Sequence, residues 1–323
     1  MITIGKITLS SPLILAPIAG YTDRIFRKIC IKHGCALTVT ELISAEGIVR
    51  NDRKTNLMLS FSDDERPLAI QIFGNKPDVM GDAAAKVALL QPDIIDINMG
   101  CPVRKIAKAG AGAKLLANEA LTADILETVT KSVDIPVTVK IRIGLLPGQN
   151  VAPEIIKIAY ETGIKMIAVH ARPASQGHSG EPDIEAFAAA CDGAKIPVVA
   201  NGGIVDELSA EKFYKIPGCS GLMIGRGAVG NYSLFKRIEN YFSNGIILNA
   251  PSWHEKIEWF KKHAGLAARH YGEEKGYVLL RKVSHYYVKD LPNAAKVRNM
   301  FNKVTKTADF EEVIKCIELM IND

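Results

Sequence analysis

The chain has 323 residues, 48% of them hydrophobic and 23% charged, with a formal net charge of +5. This size and composition suit one large globular domain plus a small one around a sizeable buried core. No run of about 18 apolar residues occurs, so no membrane-spanning helix is expected.

Met1-Ile2-Thr3-Ile4-Gly5-Lys6 lacks the basic-then-apolar order of a secretory leader. Residues 3–11, with a Gly5-Lys6 turn, read as a small hairpin. Eight short, apolar, β-rich runs follow, over residues 13–19, 38–42, 68–73, 94–98, 137–143, 166–171, 198–201 and 221–224. Helix-compatible segments lie between them, as at 122–133 and 153–162. The runs are nearly continuous rather than alternating, which fits a parallel sheet covered on both faces. Eight such units predict an α/β fold of the (β/α)8 TIM-barrel type rather than an open doubly wound sheet.

Strand signals vanish after about residue 245. Ser252-Trp253-His254-Glu255 has the capping-box form that opens a helix, and Asp309-Phe310-Glu311-Glu312 is a weaker start before Val313, Ile314, Ile317 and Met320. We therefore expect a catalytic barrel over 1–244 and a small all-helical domain over 245–323. Between Glu255 and Lys306 there are twelve Lys/Arg against five Asp/Glu, a surplus of seven that exceeds the net charge of the whole chain. Such a stretch is either a solvated helical face or the footprint of a polyanion.

Nearly every predicted strand ends in residues that carry chemistry: Pro17-Ile18-Ala19, Glu41, Gln71, Asn98 through Cys101, Lys140 and Arg142, His170, Asn201-Gly202-Gly203, and Gly225-Arg226. In a barrel these converge on the C-terminal mouth, where such enzymes build their sites. Gln71 and Lys140 are costly inside apolar strands unless something partners them. In Asp96-Ile97-Asn98-Met99-Gly100-Cys101-Pro102, Gly100 permits unusual backbone angles and Pro102 fixes its own φ, so the turn can hold Cys101 in a set pose. Taken alone, a single Cys is more often a small buried hydrophobe.

The glycines after the seventh and eighth strands suit a phosphate, whose oxygens close backbone N–H groups can surround. Arg226 would add a charged fork. Gly225 to Gly230 spells G-x-G-x-x-G, but no strand follows and no acidic residue lies about 20 positions on, so a dinucleotide-binding fold is not expected. The six cysteines, at 30, 35, 101, 191, 219 and 316, show no CxxC spacing. We expect no metal site, no disulfide framework and a cytoplasmic location.

The ordered series of motifs resembles the bacterial tRNA-dihydrouridine synthases, and most of all their B subfamily. It runs through Leu15-Ala16-Pro17-Ile18-Ala19-Gly20 with Thr22-Asp23 and Phe26-Arg27, Gln71-Ile72-Phe73-Gly74, Asp96 to Pro102, and Val139-Lys140-Ile141-Arg142. It continues through His170-Ala171-Arg172 with Gln176-Gly177 and Ser179-Gly180, Asn201-Gly202-Gly203, and Met223-Ile224-Gly225-Arg226-Gly227. The resemblance implies an FMN enzyme that uses NADPH to reduce uridine in tRNA, hydride passing to C6 and a proton from Cys101 to C5. It implies FMN contacts from Pro17, Ile18, Ala19, Gln71, Lys140, His170, Asn201, Gly202, Gly203, Gly225 and Arg226. Asn98 and Arg142 are expected at the substrate. Arg281-Lys282 resembles the start of the family's RKH-containing tRNA-binding helix, and Arg298 matches a further basic position.

Departures from the family pattern are Ile18 for Met, Gly203 for Asp, His178 for an aromatic residue, and Asp290-Leu291-Pro292-Asn293 for Gly-x-Pro-Gly. No obligate protein partner is expected. Two other readings share the fold: an FMN barrel acting on a free pyrimidine, as in dihydroorotate dehydrogenase-like enzymes, and a catalytically silent RNA-binding barrel. The basic helical stretch opposes the first; Cys101 and Lys140 oppose the second.

Overall fold

The structure, a computed structural model, describes residues 1–322. Strands β1 (Thr3–Ile4) and β2 (Ile7–Thr8) form the expected antiparallel hairpin, with Gly5 turning at φ +60°. Then come β3 (Leu13–Leu15), β4 (Leu37–Val39), β5 (Ile43–Ser44), β6 (Leu68–Phe73), β7 (Ile94–Met99), β8 (Val137–Arg142), β9 (Met166–His170), β10 (Val198–Asn201) and β11 (Cys219–Ile224). All of these pairings are parallel. Because β11 pairs with β3 and β4 with β6, the sheet closes into eight staves, with β5 adding to the second. This is the TIM barrel expected. The first stave is shorter than its apolar run. Ala16 donates the last ladder bond to Ile224 O at 2.8 Å, and Pro17 has no N–H with which to continue.

The connections carry α1 (Arg24–Lys32), α2 (Ala45–Val49), α3 (Arg53–Met58), α4 (Pro77–Ala88), α5 (Arg104–Lys108), α6 (Glu119–Lys131), α7 (Ala152–Glu161), α8 (Ile184–Cys191), α9 (Glu207–Tyr214) and α10 (Leu234–Asn244). Helix α6 starts three residues before its apolar pattern because Asn118 caps it, accepting the Leu121 N–H at 3.0 Å.

Side chains alternate across each strand, so one parity faces the lumen and the other the helices. Ile14, Ala69, Ile94, Met166, Ala168, Val199 and Met223 fill the lower lumen, and Ile2, Ile4 and Leu9 of the hairpin region join the same cluster. Leu13, Leu15, Ile95, Ile97, Ile167, Val169 and Leu222 have the other parity and pack in the larger core shared with the helices. Continuing the lumenal parity toward the C-terminal end gives Gln71, Asp96, Asn98, Lys140, Arg142, His170 and Asn201. The lumen thus changes from apolar to polar along its axis, and the polar layer forms the base of the mouth.

Helices α11 (Trp253–Tyr271), α12 (Glu273–Val288), α13 (Ala294–Phe301) and α14 (Thr307–Asn322) complete the chain. The Ser252 capping box is formed, with Glu255 Oε2 accepting the Ser252 N–H at 2.8 Å. Asp309 lies inside α14 rather than at its start, and its carboxylate reaches back to the Thr305 N–H at 3.1 Å. Phe260 anchors this unit, stacking on Tyr287 at 4.6 Å and meeting Phe301 and Phe310 at 5.1 and 5.2 Å. Residues 245–250 between α10 and α11 are exposed, yet one hydrophobic core joins barrel and helices. Asp323, the last residue of the expected helical domain, lies outside the described residues. No helix among the described residues is long and apolar enough to cross a membrane.

Candidate active site

The polar layer opens into a cavity of about 1070 Å³. Its wall contains Pro17, Ile18, Ala19, Asn98, Cys101, Lys140, Arg142, His170, Asn201, Gly202, Gly203, Gly225 and Arg226, together with Tyr286 and Lys289 from the helical unit. The barrel residues among these, scattered over the sequence, meet here because the closed barrel brings all strand ends to one rim.

A chain of hydrogen bonds fixes the Cys101 turn from below. Asn98 Oδ1 accepts the N–H of Cys101 at 3.0 Å and of Gly100 at 3.3 Å. Asn98 in turn donates to Gln71 Oε1 at 2.8 Å, Gln71 donates to Asp96 at 2.6 Å, and Thr138 donates to the other Asp96 oxygen at 2.5 Å. Burial pushes the Asp96 carboxyl up, while the bonds from Gln71 and Thr138 hold it down. The Cys101 carbonyl accepts Ala113 N–H at 3.0 Å. Gln71, fully buried, is a supporting member of this chain, and is absent from the cavity wall.

Arg142 lies at the cavity edge, yet its guanidinium is committed. It donates to Gly100 O at 2.9 Å and to Gly177 O at 2.9 Å, joining the Cys101 turn to the loop after β9. Burial pushes it down to about 10, a range in which it stays charged at neutral pH.

Lys140 is different. It is 7% exposed and makes no hydrogen bond or ion pair among the described residues. Burial first, and then Arg142 beside it, push its ammonium down to about 7 against the pull of Asp96 and Cys101. A buried cation without a counter-ion is costly, and this one faces the cavity. His170, pressed well below its ordinary value by burial and then by Lys140, is a neutral imidazole. Its Nε2 lies 3.4 Å from Arg172 Nη1, which assigns the ring proton to Nδ1. The His178 ring sits 5.8 Å away, pushed down to about 4 by burial and Arg226.

Gly202 and Gly203 turn at φ +112° and +74°. A Cβ on Gly202 would meet His170 Cδ2 at 2.8 Å, and one on Gly227 would strike the Ile204 carbonyl. The two glycine loops therefore touch through bare backbone, flanked by Arg226 and Arg172. Arg172 carries no expected role from the sequence. It is 5% exposed, donates to Gly180 O at 2.8 Å and lies against Gly202 and Gly203. Its lumenal parity with His170 is the signal that could have found it. Lys140, Arg142, Arg172, Arg226, Lys256 and Lys289 outnumber Asp206 and Asp290 around the cavity, while Arg237 is neutralised by Glu207 at 2.6 Å. Such a wall is electrostatically suited to an anion.

Of the expected tRNA contacts, Lys282 is exposed and reaches Gly20 across the joint between barrel and helices. Arg281 turns inward, Nη2 lying 3.4 Å from Val304 O. Arg298 is half-buried on α13, away from the cavity wall. Tyr21 and Tyr286, the latter on the helix expected to bind tRNA, meet edge-on at 5.8 Å and line the mouth.

This arrangement defines a TIM-barrel enzyme whose mouth sets cationic, glycine-rich loops and an accessible thiol around one cavity. The family model for dihydrouridine synthase matches residues 14–322. The tRNA-dihydrouridine synthase B of Pseudomonas aeruginosa is 38% identical over 307 residues, 95% of this chain and 92% of the relative. That of Proteus vulgaris is 35% identical over 312 residues, 97% of each chain. A probable tRNA-dihydrouridine synthase of Rickettsia bellii is 36% identical over 303 residues, 94% of this chain and 93% of the relative. Solved structures of a 2-naphthoyl-CoA reductase complex and of histamine dehydrogenase from Rhizobium sp. 4-9 share the fold at TM-scores of 0.54 and 0.53, each at 13% identity over 74% of this chain. The chain spans about half the length of those two structures, 51% and 47%. It belongs to the dihydrouridine synthase family of flavin-dependent oxidoreductases.

Proposed function

We propose that this protein reduces the C5–C6 double bond of uridines in tRNA to dihydrouridine in the cytoplasm, with FMN as its flavin and NADPH as the reductant. The observation that carries the reading is Lys140, a buried cation with no ion-pair partner among the described residues, facing the same cavity as Cys101. FMN fits the residues present. The loops at Gly202-Gly203 and Gly225–Gly227, with Arg172 and Arg226, suit one terminal phosphate; Lys140 suits the negative charge of a reduced isoalloxazine. Pro17, Ile18 and Ala19 offer an apolar wall, while His170 and Asn201 offer polar groups. When bound, the flavin supplies the hydride that adds to C6 of the uracil.

Cys101 does the acid's work. Its thiol delivers a proton to C5 as negative charge develops there, so the thiol form is the one the step consumes. Asn98 and Arg142, expected as substrate contacts, hold the turns that carry Cys101 and His178. Gln71 holds Asn98.

Residues 1–244 act as the catalytic unit and 245–323 as the tRNA-binding unit. A uridine inside folded tRNA must leave its stack to reach Cys101. Tyr21 and Tyr286 at the mouth give flanking bases aromatic surfaces, and Lys282 and Arg298 meet phosphates.

The test is spectral and kinetic. The purified protein carries FMN, oxidises NADPH slowly alone, and oxidises it rapidly once tRNA lacking dihydrouridine is added. Acceleration by a free pyrimidine instead would favour the dihydroorotate dehydrogenase-like reading; tRNA binding without turnover would favour a silent barrel.

A further inference from the structure

Four cations follow Cys101 on the rim, and none has an ion-pair partner among the described residues. Arg104, Lys105 and Lys108 lie on α5, and Lys114 lies in the short 3-10 turn Gly112–Ala117 that follows. All four are exposed, and no Asp or Glu occurs from Cys101 to Asn118. On other barrel helices Lys131, Lys157 and Lys215 each pair with a glutamate three or four residues away.

The barrel order gives this rim its place. The helical unit is fastened at the loops after β3 and β11, where Lys282 meets Gly20, Tyr286 meets Tyr21, and the Tyr286 backbone presses on Gly230. β3 and β11 are neighbours in the ring, and β7 and β8 lie halfway round it. Helix α5 follows β7, so its cations stand across the mouth from α12. The cavity is therefore flanked by exposed cations on two opposite sides, Lys282 and Lys289 on one and the α5 rim on the other.

We infer that the α5 rim is a second phosphate-binding surface, and that a folded RNA lies across the mouth held on both flanks. The inference rests on the proposed tRNA reading and extends it to a surface outside the helical unit. A strand gripped on one side only can pivot. Gripped on both, it stays fixed while one base is drawn between the flanks, and the second grip forms at high effective concentration. The Ala113 N–H bond to the Cys101 carbonyl ties this rim directly to the turn that carries the thiol.

The experiment compares R104Q/K105Q/K108Q with K6Q/K165Q/K195Q, which removes the same charge from exposed positions at the N-terminal end of the barrel. The probe is unmodified tRNA in filter-binding titrations across salt concentrations, with flavin content and the KM for NADPH measured in parallel. The rim variant should keep its flavin, bind tRNA at least about tenfold more weakly, and lower the magnitude of the log–log salt slope by about 2 to 3. Lys108→Gln alone should lower it by about 0.7 to 0.9. The control should keep the wild-type slope. Wild-type slope and affinity in the rim variant would overturn the inference while leaving the tRNA reading intact. A raised KM for NADPH with unchanged tRNA binding would overturn it by assigning the rim to the dinucleotide. A wild-type protein that neither binds nor modifies tRNA would overturn both.

Discussion

Asn98 holds Cys101 by its backbone: Asn98 Oδ1 accepts the Cys101 N–H at 3.0 Å, and no side-chain contact to the sulfur is needed to set its pose. Asn98→Ala should therefore damage the acid without touching it. Its loss strands the N–H groups of Gly100 and Cys101 and leaves Gln71 Oε1 without its donor, each about 1–3 kcal/mol where water cannot reach. Dihydrouridine formation should fall about 10²-fold, as expected when a reacting group drifts, with flavin content retained. Iodoacetamide modification of Cys101 reports the pose directly. An unchanged alkylation rate together with normal turnover would refute the positioning role.

Cys101→Ala should keep FMN and still accept electrons from NADPH, yet form dihydrouridine about 10²- to 10⁴-fold more slowly. Single-turnover reduction followed by tRNA addition separates the two half-reactions. Near-normal transfer to tRNA would show that another group supplies the proton.

Lys140 makes a prediction about pH. Its ordinary value is 10.5 and burial takes it to about 7. Below pH 7 both folded and unfolded chains hold the proton and the fold bears the full burden of a buried charge. Between about 7 and 10.5 only the unfolded chain holds it, so stability rises with pH across that window. The apoprotein should gain Tm over that range relative to Lys140→Met. An anionic ligand reverses the effect by restoring the charge. Wild-type binding of FMN at pH 8 should take up close to one proton more than the variant does, read by calorimetry in buffers of different ionisation enthalpy. Equal proton uptake in the two proteins would remove Lys140 from the flavin site.

Much of this could be read in the sequence, for identifiable reasons. Eight apolar runs of strand length point to a closed parallel sheet, and the polar residues at their ends to one mouth. What stayed hidden was the division of labour within the polar layer. Gln71 and Asn98 look alike as strand-end amides, but the register places Gln71 beside Asp96 and Asn98 beside Lys140, so Gln71 supports while Asn98 faces the cavity. Arg142 reads as a free cation until the loop after β9 folds back and supplies its carbonyl acceptors. Tyr21 and Tyr286 are 265 positions apart, and only docking of the helical unit makes them neighbours.

The helical unit offers a contrast between binding and stability. Lys282→Gln with Arg298→Gln should weaken tRNA affinity and lower the magnitude of the salt slope by up to about 1.4 to 1.8, two phosphate contacts, with flavin content and Tm unchanged. Arg281→Gln should instead lower Tm, because the Arg281 guanidinium points to Val304 inside the helical unit. Filter binding and thermal melts of the two variants check this pair. A double variant with the wild-type slope would make those charges ordinary solvated ones.

On this proposal one cavity brings Cys101, Lys140 and an extruded uridine together for reduction. Mass mapping of unmodified tRNA after incubation with the purified protein and NADPH tests it most directly. We expect a gain of two hydrogens at discrete uridines, dependent on FMN and abolished to within the slow residual rate by Cys101→Ala. NADPH consumed with no change in the mass of any uridine would contradict it.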